Sequence, residues 1–151
     1  LFTDIGLSSD EPFSQDGCVD CAACISACPT GCINLDRTID ASRCISYLTI
    51  ETQGDFPEDL SKKTNGWVFG CDICQMVCPM NKKAIAVNPD YSFSATKPII
   101  PQQIVLSDDY LMDFENFDRK FKSTPVHRIG HQRYLRNIRN ALTNKTNTRV
   151  K

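Results

Sequence analysis

The 151-residue sequence predicts an α+β protein, in which a small, mostly helical and irregular unit organised by cysteines precedes a C-terminal helical segment. Three observations carry that expectation. Seven of the nine cysteines fall in two tight blocks, Cys18 to Cys28 and Cys71 to Cys78. Residues 88–107 hold Pro89, Pro98 and Pro101 and read as a linker over the surface. Beyond Thr124, apolar residues recur at helical spacing. The chain therefore divides into 1–87, a linker at 88–107, and a helical segment with a basic tail at 108–151. At 41% hydrophobic it is neither disordered nor membranous, and no apolar run is long enough to span a bilayer.

The first block, Cys18-x-x-Cys21-x-x-Cys24-x-x-x-Cys28-Pro29, has the spacing of bacterial ferredoxins. Three thiolates on one loop cap three corners of a cubane, and a fourth on the helix that follows points at a neighbouring cluster. The second block, Cys71-x-x-Cys74-x-x-x-Cys78-Pro79, lacks its leading cysteine. Cys44, lying between the blocks, is the natural replacement and completes the eight ligands that two [4Fe–4S] clusters require. A disulfide scaffold is disfavoured by the odd cysteine count and the lack of a signal peptide. Zinc does not call for a continuous CxxCxxCxxxCP run. A double-cluster, ferredoxin-like unit is the reading that remains, and its reduced thiolates suit a cytoplasmic setting. The absence of a methionine at Leu1 suggests the C-terminal portion of a longer protein.

The elements follow in order. Residues 1–17 read as an incoming strand and loop, and Cys24 to Cys28 as one helical turn stopped by Pro29. Thr30-Gly31 turns the chain into a short extended piece, Cys32 to Leu35, with Cys32 a small apolar filler beside a cluster. Asp40 or Ser42 can cap a helix that carries Cys44, Tyr47 and Leu48 on one face and leaves Ser46, Thr49 and Glu51 to solvent. A brief helix starts at Pro57 in an otherwise polar, turn-rich stretch. Trp67 to Phe69 reads as a short strand running into Gly70, where a close backbone approach is possible. Asp108 to Lys122 forms a charged helix with an apolar stripe of Tyr110, Leu111, Phe114, Phe117 and Phe121. The last helix takes Thr124 as N-cap and Pro125 as first residue, and buries Ile129, Leu135, Ile138 and Leu142.

The net charge of -1 hides an asymmetry: residues 119–151 hold 10 of the 17 Lys and Arg and no Asp or Glu. Arg128, Arg133, Arg136 and Arg139 on the last helix thus form a candidate phosphate-contacting face, set against the plainer reading of a solvated basic face. His127 and His131 are four apart, but no third metal ligand lies nearby in sequence. No nucleophile, base with an orienting partner, or phosphate loop is evident, so the unit reads as a conductor of electrons.

The order CxxCxxCxxxCPTG, then Asp40-Ala-Ser-Arg-Cys44-Ile-Ser-Tyr-Leu-Thr-Ile-Glu51, then Gly70-Cys-Asp-Ile-Cys-Gln-Met-Val-Cys-Pro-Met-Asn81 resembles the epoxyqueuosine reductase family. The resemblance runs from Thr3 to Leu142 and implies one cluster on Cys18, Cys21, Cys24 and Cys78 and the other on Cys28, Cys44, Cys71 and Cys74. It further implies a cobalamin beside the second cluster, facing the backbone of Cys71, Asp72, Ile73 and Cys74 and near Ser46. Thr49 and Glu51 would lie near cobalamin or tRNA. The implied partners are a tRNA carrying epoxyqueuosine and an electron donor such as a ferredoxin or flavodoxin, and the implied state is monomeric. The family's N-terminal half, which forms most of the cobalamin pocket and supplies the acidic proton donor, has no counterpart here. No catalytic residue is therefore assigned in this chain, which is expected to hold clusters without turning over alone. The alternative is a ferredoxin-like electron carrier or subunit that serves an unrelated partner.

Overall fold

The computed structural model describes residues 2–12, 17–18, 20–84 and 109–147, and its elements are helical and mostly short. The two cysteine blocks fold alike. α1 (Ala23–Ala27) and α2 (Ile45–Ile50) precede α3 (Glu58–Ser61), and α4 (Ile73–Val77) repeats the geometry of α1. Residue Ala22 before α1 has φ −119° and ψ 18°, and Asp72 before α4 has φ −115° and ψ 16°. Both helices stop at an extended cysteine, Cys28 or Cys78, because the following proline disfavours the helical region there. α1 and α4 pack against each other, and α5 (Pro79–Ala84) continues from the second block.

The β component of the expected α+β class is corrected. Among the described residues the sole strand-like pairing is an isolated antiparallel bridge between Ile33 and Ile39. The extended piece expected over Cys32 to Leu35 is shorter: Leu35 already lies in a turn, closed by Asn34 N–H donating to the Thr38 carbonyl. Residues 2–12 form no strand and expose Phe2, Ile5 and Leu7. Trp67 to Phe69 is a bend, because Gly66 (φ 80°) and Gly70 (φ 70°) turn the backbone on either side. Gly70 is demanded by that φ and not by a close approach, since a Cβ there would meet nothing within 4 Å. The expected linker at 88–107 lies outside the described residues.

Two predicted helices are shorter than their periodicity suggests. Asp40 does cap, accepting from Ser42 N–H, but it caps a 3-10 turn, Ala41–Arg43. The chain is extended at Cys44, φ −69° and ψ 127°, before α2 begins. The charged helix is interrupted: Asp109 and Tyr110 are helical, residues 111–113 are not, and α6 (Phe114–Phe121) starts where Asp113 accepts from Asn116 N–H at 2.8 Å. Phe117 and Phe121 are buried, whereas Tyr110, Leu111 and Phe114 are exposed.

The terminal helix is broken as well. Pro125 opens a 3-10 turn, Pro125–Ile129, and Gly130 at φ 77° resets the direction before α7 (His131–Asn147). Thr124 makes no cap, since its hydroxyl donates to the Phe121 carbonyl. Gly130→Ala would place a side chain in a backbone region that L-residues avoid, at a cost of about 1–3 kcal/mol. The expected outcome is a lower thermal midpoint with an unaltered helix signal by circular dichroism.

One apolar core joins both halves: Phe117, Phe121, Val126, Ile129, Tyr134, Ile138 and Ala141 surround Val68, with Ile50, Phe69, Met112 and Leu142 against them. Tyr134 is wholly buried, and its hydroxyl donates to Asp109 Oδ2 at 2.8 Å while Lys120 Nζ donates to Oδ1 at 2.6 Å. Burial and the Asp109 carboxylate both push the Tyr134 phenol up, so it stays protonated. Among the described residues, no helix is long and apolar enough to cross a membrane.

Candidate metal centre

The nine cysteines frame two adjacent cavities. One is lined by Cys18, Cys21, Cys24 and Cys78 with Ile25, Arg37 and Met80. The other is lined by Cys28, Cys32, Cys44, Cys71 and Cys74 with Ile33, Ile45 and Ile73. Cys74 reaches the wall of both. Each cavity thus presents five cysteine side chains, Cys74 being common to both, in a largely apolar lining, and soft sulfur donors of this kind suit iron–sulfur clusters.

Local structure explains how each thiol arrives. Cys18, Cys21 and Cys24 enter on the loop and first turn of α1, where Cys21 N–H donates to the Cys18 carbonyl at 3.0 Å. Arg37, at φ 68°, reaches back so that Nη2 donates to that same carbonyl at 2.6 Å, tying the turn after Ile33 to the loop. Cys28 and Cys78 close α1 and α4 and line opposite cavities, so each block places a cysteine in its neighbour's pocket. Cys44 stands at the extended residue just before α2.

Cys32 is buried, as expected of a filler, with its Sγ 3.4 Å from Cys28 Sγ. Burial, and then the neighbouring Cys28, push its thiol up to about 12. Burial also raises Cys28, but hydrogen bonds from Thr30 and from Cys32 outweigh it and bring that thiol down to about 7. Burial pushes Cys71 up. The imidazoles of His127 and His131 are engaged elsewhere, His127 Nε2 with Asp118 at 2.9 Å and His131 Nε2 with the Met112 carbonyl at 2.7 Å.

Residues 17–81 match the family described as a 4Fe-4S double cluster binding domain. Over 144 residues, 95% of this chain, the sequence is 41% identical to the epoxyqueuosine reductase of Shigella dysenteriae and 40% identical to that of Escherichia coli. The chain is homologous to a portion of epoxyqueuosine reductase. It spans about a third of those relatives, 37% of each. The solved epoxyqueuosine reductase of Bacillus subtilis superposes with a TM-score of 0.76 at 32% identity, covering 91% of this chain and 36% of that one. A second solved epoxyqueuosine reductase, crystallised with an epoxyqueuosine-modified tRNA stem loop, superposes with the same score and identity. These homologues are oxidoreductases that modify tRNA.

Against the reductase family, the remaining site residues fall into place unevenly. Ile73 lines the Cys28–Cys74 cavity and Asp72 is exposed at its edge. Ser46 is half-buried and Glu51 is exposed. Thr49 is not solvated as its helical position suggested. It is fully buried, its hydroxyl donates to the Ile45 carbonyl at 2.8 Å, and it accepts from Gly70 N–H at 3.1 Å.

The four arginines separate. Arg139 is exposed, and Arg128 is exposed but pairs with Glu51 at 2.7 Å. Arg133 and Arg136 are put to a different use from phosphate contact. Arg133 donates to the carbonyls of Ile129 and Ile50, and Arg136 donates to those of Leu48, Thr52 and Gly54 while its guanidinium lies over Phe56. The sequence reading missed Asn137, Asn140 and Asn144. They recur at i, i+3 and i+7 and face inward: Asn137 donates to Thr49 and Val68, and Asn140 and Asn144 to Ser61 and Thr64. That recurrence of a polar residue with helical period was the available signal.

Proposed function

We propose that this chain is the cluster-bearing part of an enzyme that reduces epoxyqueuosine to queuosine in tRNA. The observation that carries the reading is the pair of cavities, each lined by five cysteines drawn from more than one segment, with Cys74 common to both. Cys18, Cys21, Cys24 and Cys78 hold one [4Fe–4S] cluster, and Cys28, Cys44, Cys71 and Cys74 hold the other. When bound, the clusters supply one-electron carriers at close range, and a cobalamin shared with the rest of the enzyme supplies the reducing centre for the epoxide. The chain's own residues hold and orient: the crossing of Cys28 and Cys78 keeps the two sites adjacent. The backbone of Cys71 to Cys74, with Ser46 nearby, is the surface offered to cobalamin. Thr49 acts from within by fixing α2 to Gly70, and Glu51 acts at the surface through Arg128.

Substrate tRNA is met by the basic C-terminal face, through Arg139 and Arg128, with Arg133 and Arg136 holding the helix in place beneath them. A phosphate at Arg128 competes with Glu51, whose carboxyl is held below the usual range by that guanidinium. Electrons arrive from a ferredoxin or flavodoxin, and the enzyme works in the cytoplasm as a monomer.

In the full-length protein, conversion of epoxyqueuosine to queuosine in tRNA is expected only with cobalamin present, followed by mass spectrometry of the nucleosides. Conversion without cobalamin contradicts the reading. Arg128→Ala and Arg139→Ala are each expected to weaken stem-loop binding and to lower the slope of log affinity against log salt by about one. Fluorescence anisotropy at several salt concentrations measures it. Binding that depends on neither arginine nor salt favours an electron carrier for an unrelated partner.

A further inference from the structure

α2 is six residues long and carries Cys44 at its leading end. A helix this short is not stable alone, so its direction is imposed by what grips it. Its last carbonyls have no partner within the helix and need donors from elsewhere. They receive them from one face of α7: Arg136 Nη2 donates to Leu48 at 3.0 Å, Asn137 Nδ2 to Thr49 at 2.8 Å, and Arg133 Nη1 to Ile50 at 3.0 Å. Two of these donors are guanidinium groups, whose positive charge also suits the negative end of a helix.

Asn137 does more than cap. The same Nδ2 donates to the Val68 carbonyl at 2.8 Å, two residues before Gly70 and three before Cys71. Thr49 closes the loop by accepting from Gly70 N–H. Asn137 is fully buried, and its Oδ1 accepts from Arg136 Nε at 3.1 Å and Nη2 at 2.9 Å, so its orientation is fixed. Cys44 and Cys71 both belong to the second cavity, and the segments that bring them are joined through Asn137 and through the Thr49–Gly70 bond.

We infer that Asn137 and Arg136 are positioning residues for the second cluster, setting the separation of Cys44 and Cys71 by clamping α2 to the Val68–Gly70 bend. The inference rests on the two-cluster reading above. The first cavity depends on the clamp less, since Cys18, Cys21 and Cys24 arrive on α1 and the loop before it, and only Cys78, with the shared Cys74, arrives on α4 downstream of the clamped bend. Ligand-orienting partners of this kind tune a metal site without touching it.

The test is a redox titration of the anaerobically prepared holoprotein followed by electron paramagnetic resonance. The signal lost in Cys44→Ser identifies the second cluster. Asn137→Ala and the milder Arg136→Lys are expected to shift the midpoint and broaden the line of that signal, and to move the other signal less. Val126→Ala, a cavity in the shared core that removes no hydrogen bond to either segment, is expected to lower the thermal midpoint and move neither signal. Unchanged signals in both clamp variants, or an equal shift in Val126→Ala, overturn the inference. An unmodified protein without two cluster signals overturns the two-cluster reading itself, and the clamp with it.

Discussion

Replacing Cys44 by Ser is expected to lower the iron of the holoprotein from about eight to about four per chain while the protein stays folded. Cys44 lies outside both blocks, yet its cavity also holds Cys28, Cys71 and Cys74, and no cysteine but Cys32 lies nearby to replace it. Cys32 also lines that cavity, buried with its Sγ 3.4 Å from Cys28 Sγ, but it is the ninth cysteine where two clusters need eight. The companion variant, Cys32→Ala, is therefore expected to keep about eight irons. Iron analysis beside a far-ultraviolet spectrum separates the two. Retention of about eight irons in Cys44→Ser would remove the basis for assigning that ligand.

Asn137→Ala carries the second large effect, a loss of about 2–5 kcal/mol in stability. Two buried carbonyls, Thr49 and Val68, lose their donor at once, each costing about 1–3 kcal/mol when left unpaired. The removed amide also leaves Arg136 without its neighbour at Oδ1. Chemical denaturation of matched metal-loaded samples measures the change, and a loss under about 0.5 kcal/mol, the range of ordinary surface substitutions, would show that the clamp carries no weight.

Both variants bear on what could be read from the residues beforehand. The cysteine spacing located α1, α4 and the crossing of Cys28 and Cys78, because cluster geometry leaves little freedom in how four thiols reach one centre. Phe117, Phe121, Ile129 and Ile138 were legible as core from period alone. Arg133, Arg136 and Asn137 were not. A basic helix rich in Asn looks solvated, and its real partners are carbonyls more than eighty residues earlier in the chain for Leu48, Thr49 and Ile50, which no local pattern announces. Gly130 was similarly silent: Pro125 does start a turn, but only the positive φ five residues later shows that the turn and α7 are separate elements. Trp67 to Phe69 failed as a strand because glycines on both sides bend the backbone, although its apolar run has the composition of one.

The claim on which everything else depends is that eight cysteines hold two four-iron clusters. Iron, acid-labile sulfide and zinc measured together on anaerobically purified protein test it most directly. About eight irons and about eight sulfides per chain, with no zinc, are predicted. Four or fewer irons, or zinc in their place, would contradict it.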